Sequence, residues 1–150
     1  MTLRNLEAAI ASSGIKVDVQ WKPYFLSLNT PPEGEDLMEH LESKYGKVAV
    51  ARFNAPGNPM DEAGDRVGIR FNKARRFVNT MDGHRLMEWC NKTYPDKADT
   101  LMEALFHAYF EQGLDISKTE ELLKLAHTTL GGAGDEARAV LASTQVSEWR

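Results

Sequence analysis

The chain has 150 residues, 42% apolar and 27% charged, with a formal net charge of −4. That length supports one domain with its own core, and the acidic balance argues against a nucleic-acid surface, which needs a basic excess. The single cysteine, Cys90, excludes an intrachain disulfide, a Cys-x-x-Cys pair and a zinc site built on several thiolates.

Leu3, Leu6, Ala9 and Ile10 recur at helical spacing, and Gly14 is placed to end that helix in a left-handed residue. From Ile15 to Trp21, apolar Ile, Val, Val and Trp alternate with Lys, Asp and Gln. Period two predicts a strand with one buried face, and Pro23, lacking an N–H, stops its pairing. Residues 27–34 (SLNTPPEG) form a loop, and Pro31-Pro32 reads as a turn before a helix rather than a PxxP ligand. Leu37, Met38, Leu41 and Tyr45 mark a short helix ending at Gly46. Val48, Val50, Ala51 and Phe53 suggest another, broken by APGNP at 55–59, before a weak helix from Met60 to Val67. GIRFN at 68–72 is extended, with Phe71 and Phe77 as anchors, and the short basic cluster Lys73, Arg75 and Arg76 reads as a solvated face.

Beyond that point the pattern is helical. Asn79 or Thr80 caps a helix with Leu86, Met87, Cys90 and Tyr94 on one face, punctuated by Pro95. DKAD at 96–99 opens a helix with a broad stripe of Leu101, Met102, Leu105, Ala108 and Tyr109, closed by Gly113. SKTE at 117–120 has the form of a capping box, in which Ser117 would take a free amide and Glu120 would reach back. Leu122, Leu123, Leu125, Ala126 and Leu130 follow, and GGAG at 131–134 breaks the chain before a last helix over 135–143. The expected fold is mostly α with a minimal β component. A lone strand leaves backbone donors and acceptors without partners, so it must find neighbours.

Three stretches, VQWKPYFL, RFVNTMDGHRLMEWC and LMEALFHAYFEQGLDISKTEELLKLA, resemble the DsbA-like thioredoxin-fold proteins, and among them the FrnE-type group. Relatives of that group are the 2-hydroxychromene-2-carboxylate isomerases and kappa-class glutathione transferases. The most specific marks are Asn79-Thr80 ahead of His84-Arg85-Leu86, and Leu105-Phe106 with Ala108-Tyr109-Phe110, then Gly113, Asp115 and Ile116. Order and spacing match over residues 4–143. The resemblance implies a truncated thioredoxin-like α/β fold dominated by its helical insertion: one partial domain over 1–150, with half of a βαβ unit at 1–26 and the insertion at 35–145. It further implies that the family's first strand, its Cys-x-x-Cys pair and its later cis-proline loop fall outside Met1–Arg150.

Thiol–disulfide exchange needs a low-pKa thiolate and a second sulfur to resolve the mixed disulfide. The resemblance therefore implies a thiol–disulfide oxidoreductase family member with no catalytic residue of its own in dithiol exchange. Two alternatives stand beside it. One is a helical interaction module pairing through strand 15–21, as a homodimer or with a partner chain. The other is an isomerase or glutathione-dependent transferase of the same superfamily.

Candidate substrate-binding residues are Asn79, Thr80, His84 and Phe110. In the family the segment around His84 borders the active-site face. Read from the residues alone, His84 is a first-turn histidine bonded to Asp82 or backbone, and Asn79 is a helix cap. Phe106, Tyr109 and Phe110 are core aromatics, or the wall of an apolar groove for a small substrate or peptide. Cys90, on the apolar stripe, is expected to be buried and inert. Glu103, His107 and Glu111, four apart, share a helix face and read as a charged stripe rather than a metal site. No cofactor and no metal are expected. No apolar run approaches the ~20 residues of a membrane span, and the N-terminus lacks a secretion signal's pattern, so a cytoplasmic protein with no membrane partner is expected.

Overall fold

The computed structural model describes residues 2–27 and 29–143. Among these, helices run at Thr2–Ser13 (α1), Leu37–Tyr45 (α2), Lys47–Asn54 (α3), Pro59–Asp65 (α4), Met81–Thr93 (α5), Ala98–Phe106 (α6), Thr119–Leu130 (α7) and Gly134–Ala142 (α8). The β component is one antiparallel pair, Glu35–Asp36 (β1) with Arg76–Phe77 (β2), in the register Glu35 to Phe77 and Asp36 to Arg76. The mostly α architecture agrees with the sequence pattern. The last two residues of the expected insertion, 144 and 145, lie outside the described residues.

The core lies among α5, α6, α7 and α8. Their stripes bury Leu86, Met87 and Cys90 from α5, Leu101 and Leu105 from α6, Leu122, Leu123 and Ala126 from α7, and Ala137 and Leu141 from α8. Each fully buried leucine here contributes about 1.5–3 kcal/mol of transfer free energy. Arg85, on the flank of α5, locks α8 in place. Its guanidinium pairs with Asp82 at 2.9 Å and donates to the carbonyls of Val140 (2.6 Å) and Ser143. A cation on the last carbonyls of a helix satisfies groups that have no partner within the helix, and it complements the helix dipole.

α2 and α3 form a small annex attached through the two-residue ladder. Asp36 caps α2, accepting from the amides of Met38 (2.8 Å) and Glu39 (3.0 Å). On the ladder, His40 stacks on Phe77 with ring centres 3.7 Å apart while its Nδ1 meets Glu35 at 3.0 Å.

Four expectations need correction. The expected strand at 15–21 does not form: Ile15 and Val17 are exposed, and the burial alternation of a strand runs only over 19–25, without its pairing. Val19, Trp21, Pro23 and Phe25 turn partly inward and the residues between them are exposed, yet none of this segment joins a ladder. Second, the SKTE capping box does not form. Asp115 Oδ1 takes both the amide (3.0 Å) and the hydroxyl (2.5 Å) of Ser117, so the helix starts at Thr119 with no side-chain cap. Third, the helix after Pro95 does not run evenly to Gly113. α6 gives way to a π-helical stretch at His107–Gln112, which ends at Gly113 with φ 74°. Fourth, the basic cluster is not a solvated face. Only Arg76 is exposed, Lys73 pairs with Asp61 at 2.5 Å, and Arg75 is 7% exposed.

Candidate functional site

Two ties hold the N-terminal segment against the helical body. The Trp21 indole N–H donates to Asp99 Oδ1 at 2.6 Å, and Asn91 Nδ2 donates to the Trp21 carbonyl at 2.9 Å. Arg4 on α1 donates to the Val67 carbonyl at 2.7 Å and faces Glu103 at 3.7 Å. The bond to Val67 has sound geometry. The contact with Glu103 is an exposed ion pair of the kind that contributes little.

These ties leave a groove of about 530 Å³ between α1, residues 19–21, the 69–71 stretch and α6 with its π-helical extension. Its apolar walls are Leu3, Leu6, Trp21, Ile69, Phe71 and the pair Phe106 and Phe110, with Met60 at one side. The rings meet edge to face. Trp21 and Phe106 lie 6.0 Å apart at 82°, and Phe71 and Phe110 lie 6.1 Å apart at 88°. Those separations and angles match the preferred quadrupole geometry of aromatic pairs.

The π-helical turn places Phe110 and Glu111 here. An extra residue per turn shifts the helical phase of the side chains beyond it, and such bulges concentrate at functional sites. The turn is pinned from outside, because the Asn72 amide donates to the Phe110 carbonyl at 2.7 Å. Arg75 packs over the rings of Tyr109 and Phe110, 5.5 and 5.2 Å from their centres, and donates to the Asn72 carbonyl at 2.8 Å. Its Nε is buried with no hydrogen-bond partner. Two desolvated cation–π contacts, each up to about 2 kcal/mol, offset the cost of that orphaned donor.

The polar rim is Arg4, Glu103, His107 and Glu111. Burial alone would raise the Glu111 carboxyl. The His107 Nδ1 contact at 3.0 Å and the Arg70 amide at 3.4 Å outweigh it and hold the group below the usual carboxylate range, so it is ionised. The row of Glu103, His107 and Glu111 thus splits: Glu103 turns to Arg4 and the other two pair with each other. Among the described residues no three His, Cys, Asp or Glu side chains gather as metal ligands would.

The sequence-predicted binding residues are dispersed. Phe110 lines the groove. His84 lies under the 21–25 segment, its ring edge-on to Phe25 at 4.8 Å and hydrogen-bonded to the Tyr24 backbone. Asn79 accepts from the Met81 amide at 2.9 Å and donates to the Thr30 carbonyl at 3.3 Å. Thr80 occupies the cap position of α5 without a side-chain cap bond. Sequence reasoning missed Met60, Ile69 and Arg75, which come from weak or loop segments; the one signal for the groove was the aromatic cluster 106–110.

Burial depresses the His84 imidazole below its ordinary 6.5, and the Tyr24 backbone bond only partly opposes this. The unfolded chain therefore binds the proton more readily. Stability should be intact at neutral pH, fall as pH drops below about 6.5, and level off once folded His84 also protonates. Urea midpoints measured across that window should show this slope in the native chain and a flatter one in His84→Gln.

Cys90 is fully buried and its Sγ lies 3.7 Å from the Tyr94 carbonyl. Burial raises its pKa, the opposite of what a nucleophilic thiolate needs. No helix among the described residues is long and apolar enough to cross a membrane.

No curated protein is similar enough to the chain to match it. The family model of the DSBA-like thioredoxin domain, however, matches residues 1–149. With a match over nearly its whole length and a mostly helical body of the expected kind, the chain belongs to the DSBA-like thioredoxin domain family.

Proposed function

We propose that these residues form the ligand-holding part of a DsbA-like protein. The groove takes up an apolar group of a substrate, a small molecule or a peptide side chain, and no dithiol exchange is carried out by the chain's own residues. One observation carries this reading: a cavity of about 530 Å³ walled by aromatic and aliphatic side chains, with charged groups confined to its rim. Pockets of this size and character are the usual sites for small apolar ligands. Within the family we place the chain in the FrnE-type group, on Asn79-Thr80 ahead of His84-Arg85-Leu86. We retain the division into half of a βαβ unit at 1–26 and a helical insertion at 35–145, and a cytoplasmic setting.

The rim carboxylates of Glu103 and Glu111 disfavour glutathione, an anionic tripeptide, as the occupant. A glutathione titration by calorimetry should give no heat of binding, and a saturable heat would restore the transferase reading.

The inert thiol gives a direct test. In the native chain Cys90 should react with an aromatic disulfide reagent more than about tenfold slower than in the urea-unfolded chain, because access requires opening of the core. Insulin reduction should not exceed the protein-free control. Fast native labelling, or insulin turnover well above that control, would contradict the proposal.

A further inference from the structure

The rim of the groove carries an unbalanced charge, and that imbalance bears on what an occupant brings with it. Met60, Ile69, Phe71, Phe106 and Phe110 supply apolar wall, and the Glu111 carboxylate is fixed among them. Glu111 follows Phe110 in the chain, and its Oε2 accepts from the Arg70 amide at 3.4 Å, which ties it to the stretch that supplies Ile69 and Phe71. Its Oε1 meets His107 Nδ1 at 3.0 Å. A carboxylate has about four acceptor positions, so one imidazole and one backbone amide leave about half of them for a ligand. Glu111 also lies in the last turn before Gly113, where the carbonyl end of the helix adds partial negative charge.

Among the described residues that line the groove, Arg4 is the one arginine or lysine. Its hydrogen-bonding groups are committed elsewhere. Nη1 donates to the carbonyls of Val67 (2.7 Å) and Gly68 (3.5 Å), and Nη2 faces Glu103 at 3.7 Å. Its charge reaches Glu111 through space and helps to keep that carboxylate ionised. Against this one cation stand Glu103 and Glu111, so the excess is acidic. Glu103 is the weaker attractor, with its side chain 53% exposed and turned to Arg4, whereas the Glu111 side chain is 18% exposed. A charge-assisted hydrogen bond to a largely withdrawn carboxylate is stronger and less screened than one at an open surface. The aromatic wall works in the same direction, because ring faces attract cations through their quadrupole.

We propose that the groove selects a compact aromatic amine, its ring seated among Phe71, Phe106 and Phe110 and its ammonium donating to Glu111. This rests on the ligand-holding reading of the groove and adds the chemical class of the ligand. A cavity of about 530 Å³ with four rings in its walls is poorly filled by the thin stem of a peptide lysine, which makes a free aromatic amine the better fit.

Calorimetry on the full chain at neutral pH tests this with three probes of one shape: 2-naphthylmethylammonium, 2-naphthalenemethanol and 2-naphthoate. The ammonium should bind at least about fivefold more tightly than the alcohol, and the naphthoate at least about fivefold more weakly. In Glu111→Gln the ammonium and the alcohol should bind within about twofold of each other. The peptide acetyl-Ala-Lys-Ala-amide should bind at least about tenfold more weakly than the ammonium probe. The comparison on the native chain needs no variant. If the alcohol binds and the ammonium binds no better, the inference falls while the groove keeps its ligand role. If none of the three naphthalenes binds, both fall. A preference unchanged in Glu111→Gln, or a lysine peptide that matches the ammonium probe, would also overturn it.

Discussion

Gly134→Ala should unfold the chain at markedly lower urea, with an expected loss of about 3 kcal/mol, at the upper end of overpacking penalties. The reason is where α7 and α8 touch. A Cβ on Gly134 would stand 2.5 Å from His127 Cα and 2.7 Å from its backbone nitrogen. Backbone cannot swing aside as a long side chain can, so the two helices must separate. That separation reaches the core directly, because α7 carries the fully buried Leu122 and α8 carries Ala137 and Leu141. Helix propensity works the other way, since alanine is favoured over glycine within a helix by roughly 1 kcal/mol. The steric term is the larger, and it sets the sign. Gly132→Ala, with open space around the new methyl, is the control and should change little. Equal midpoints for the two variants would show that α7 and α8 do not meet at Gly134.

The second large effect is on binding. Phe110→Ala should weaken the uptake of a neutral aromatic probe such as 2-naphthol by about 30-fold, equivalent to ~2 kcal/mol. Phe110 touches Phe71, Phe106 and Tyr109 and carries the Arg75 guanidinium over its ring. Removing the ring opens the groove wall and strips one cation–π contact from a buried charge. Phe110→Leu restores apolar volume without the quadrupole and should recover much of the affinity. If calorimetry gave the same affinity for all three proteins, the ligand would not be seated against this ring.

Much of the helical body was legible because each of its helices buries one continuous stripe. Leu86, Met87 and Cys90, or Leu122, Leu123 and Ala126, announce their face by spacing alone. The failures have physical causes of a different kind. The π-helical turn at 107–112 has no residue signature, because it arises where an Asn72 amide on a distant loop captures the Phe110 carbonyl. The capping box failed because Asp115, two residues upstream, competed for Ser117. Arg75 looked like surface by residue type, yet two rings 34 and 35 positions along the chain receive its charge. The two-residue ladder of Glu35–Asp36 with Arg76–Phe77 is too short to carry a period.

The segment 15–21 is the instructive middle case. Its alternation was legible, yet only Val19 and Trp21 turn partly inward while Ile15 and Val17 stay exposed; pairing requires a second strand, and the pattern of one strand cannot say where its neighbour lies. The candidate groove divides in the same way. Phe106 and Phe110 were visible as an aromatic cluster. Trp21, Met60, Ile69 and Phe71 reach the groove from separate elements, and only the fold brings them together.

Methyl NMR of the methionine-labelled chain tests the groove most directly, because Met60 borders it while Met87 is 4% exposed in the core. Titration with 2-naphthol should shift the Met60 methyl saturably and leave Met87 in place. A shift of Met87 with Met60 unmoved, or no saturable shift of either, would contradict the ligand-holding role.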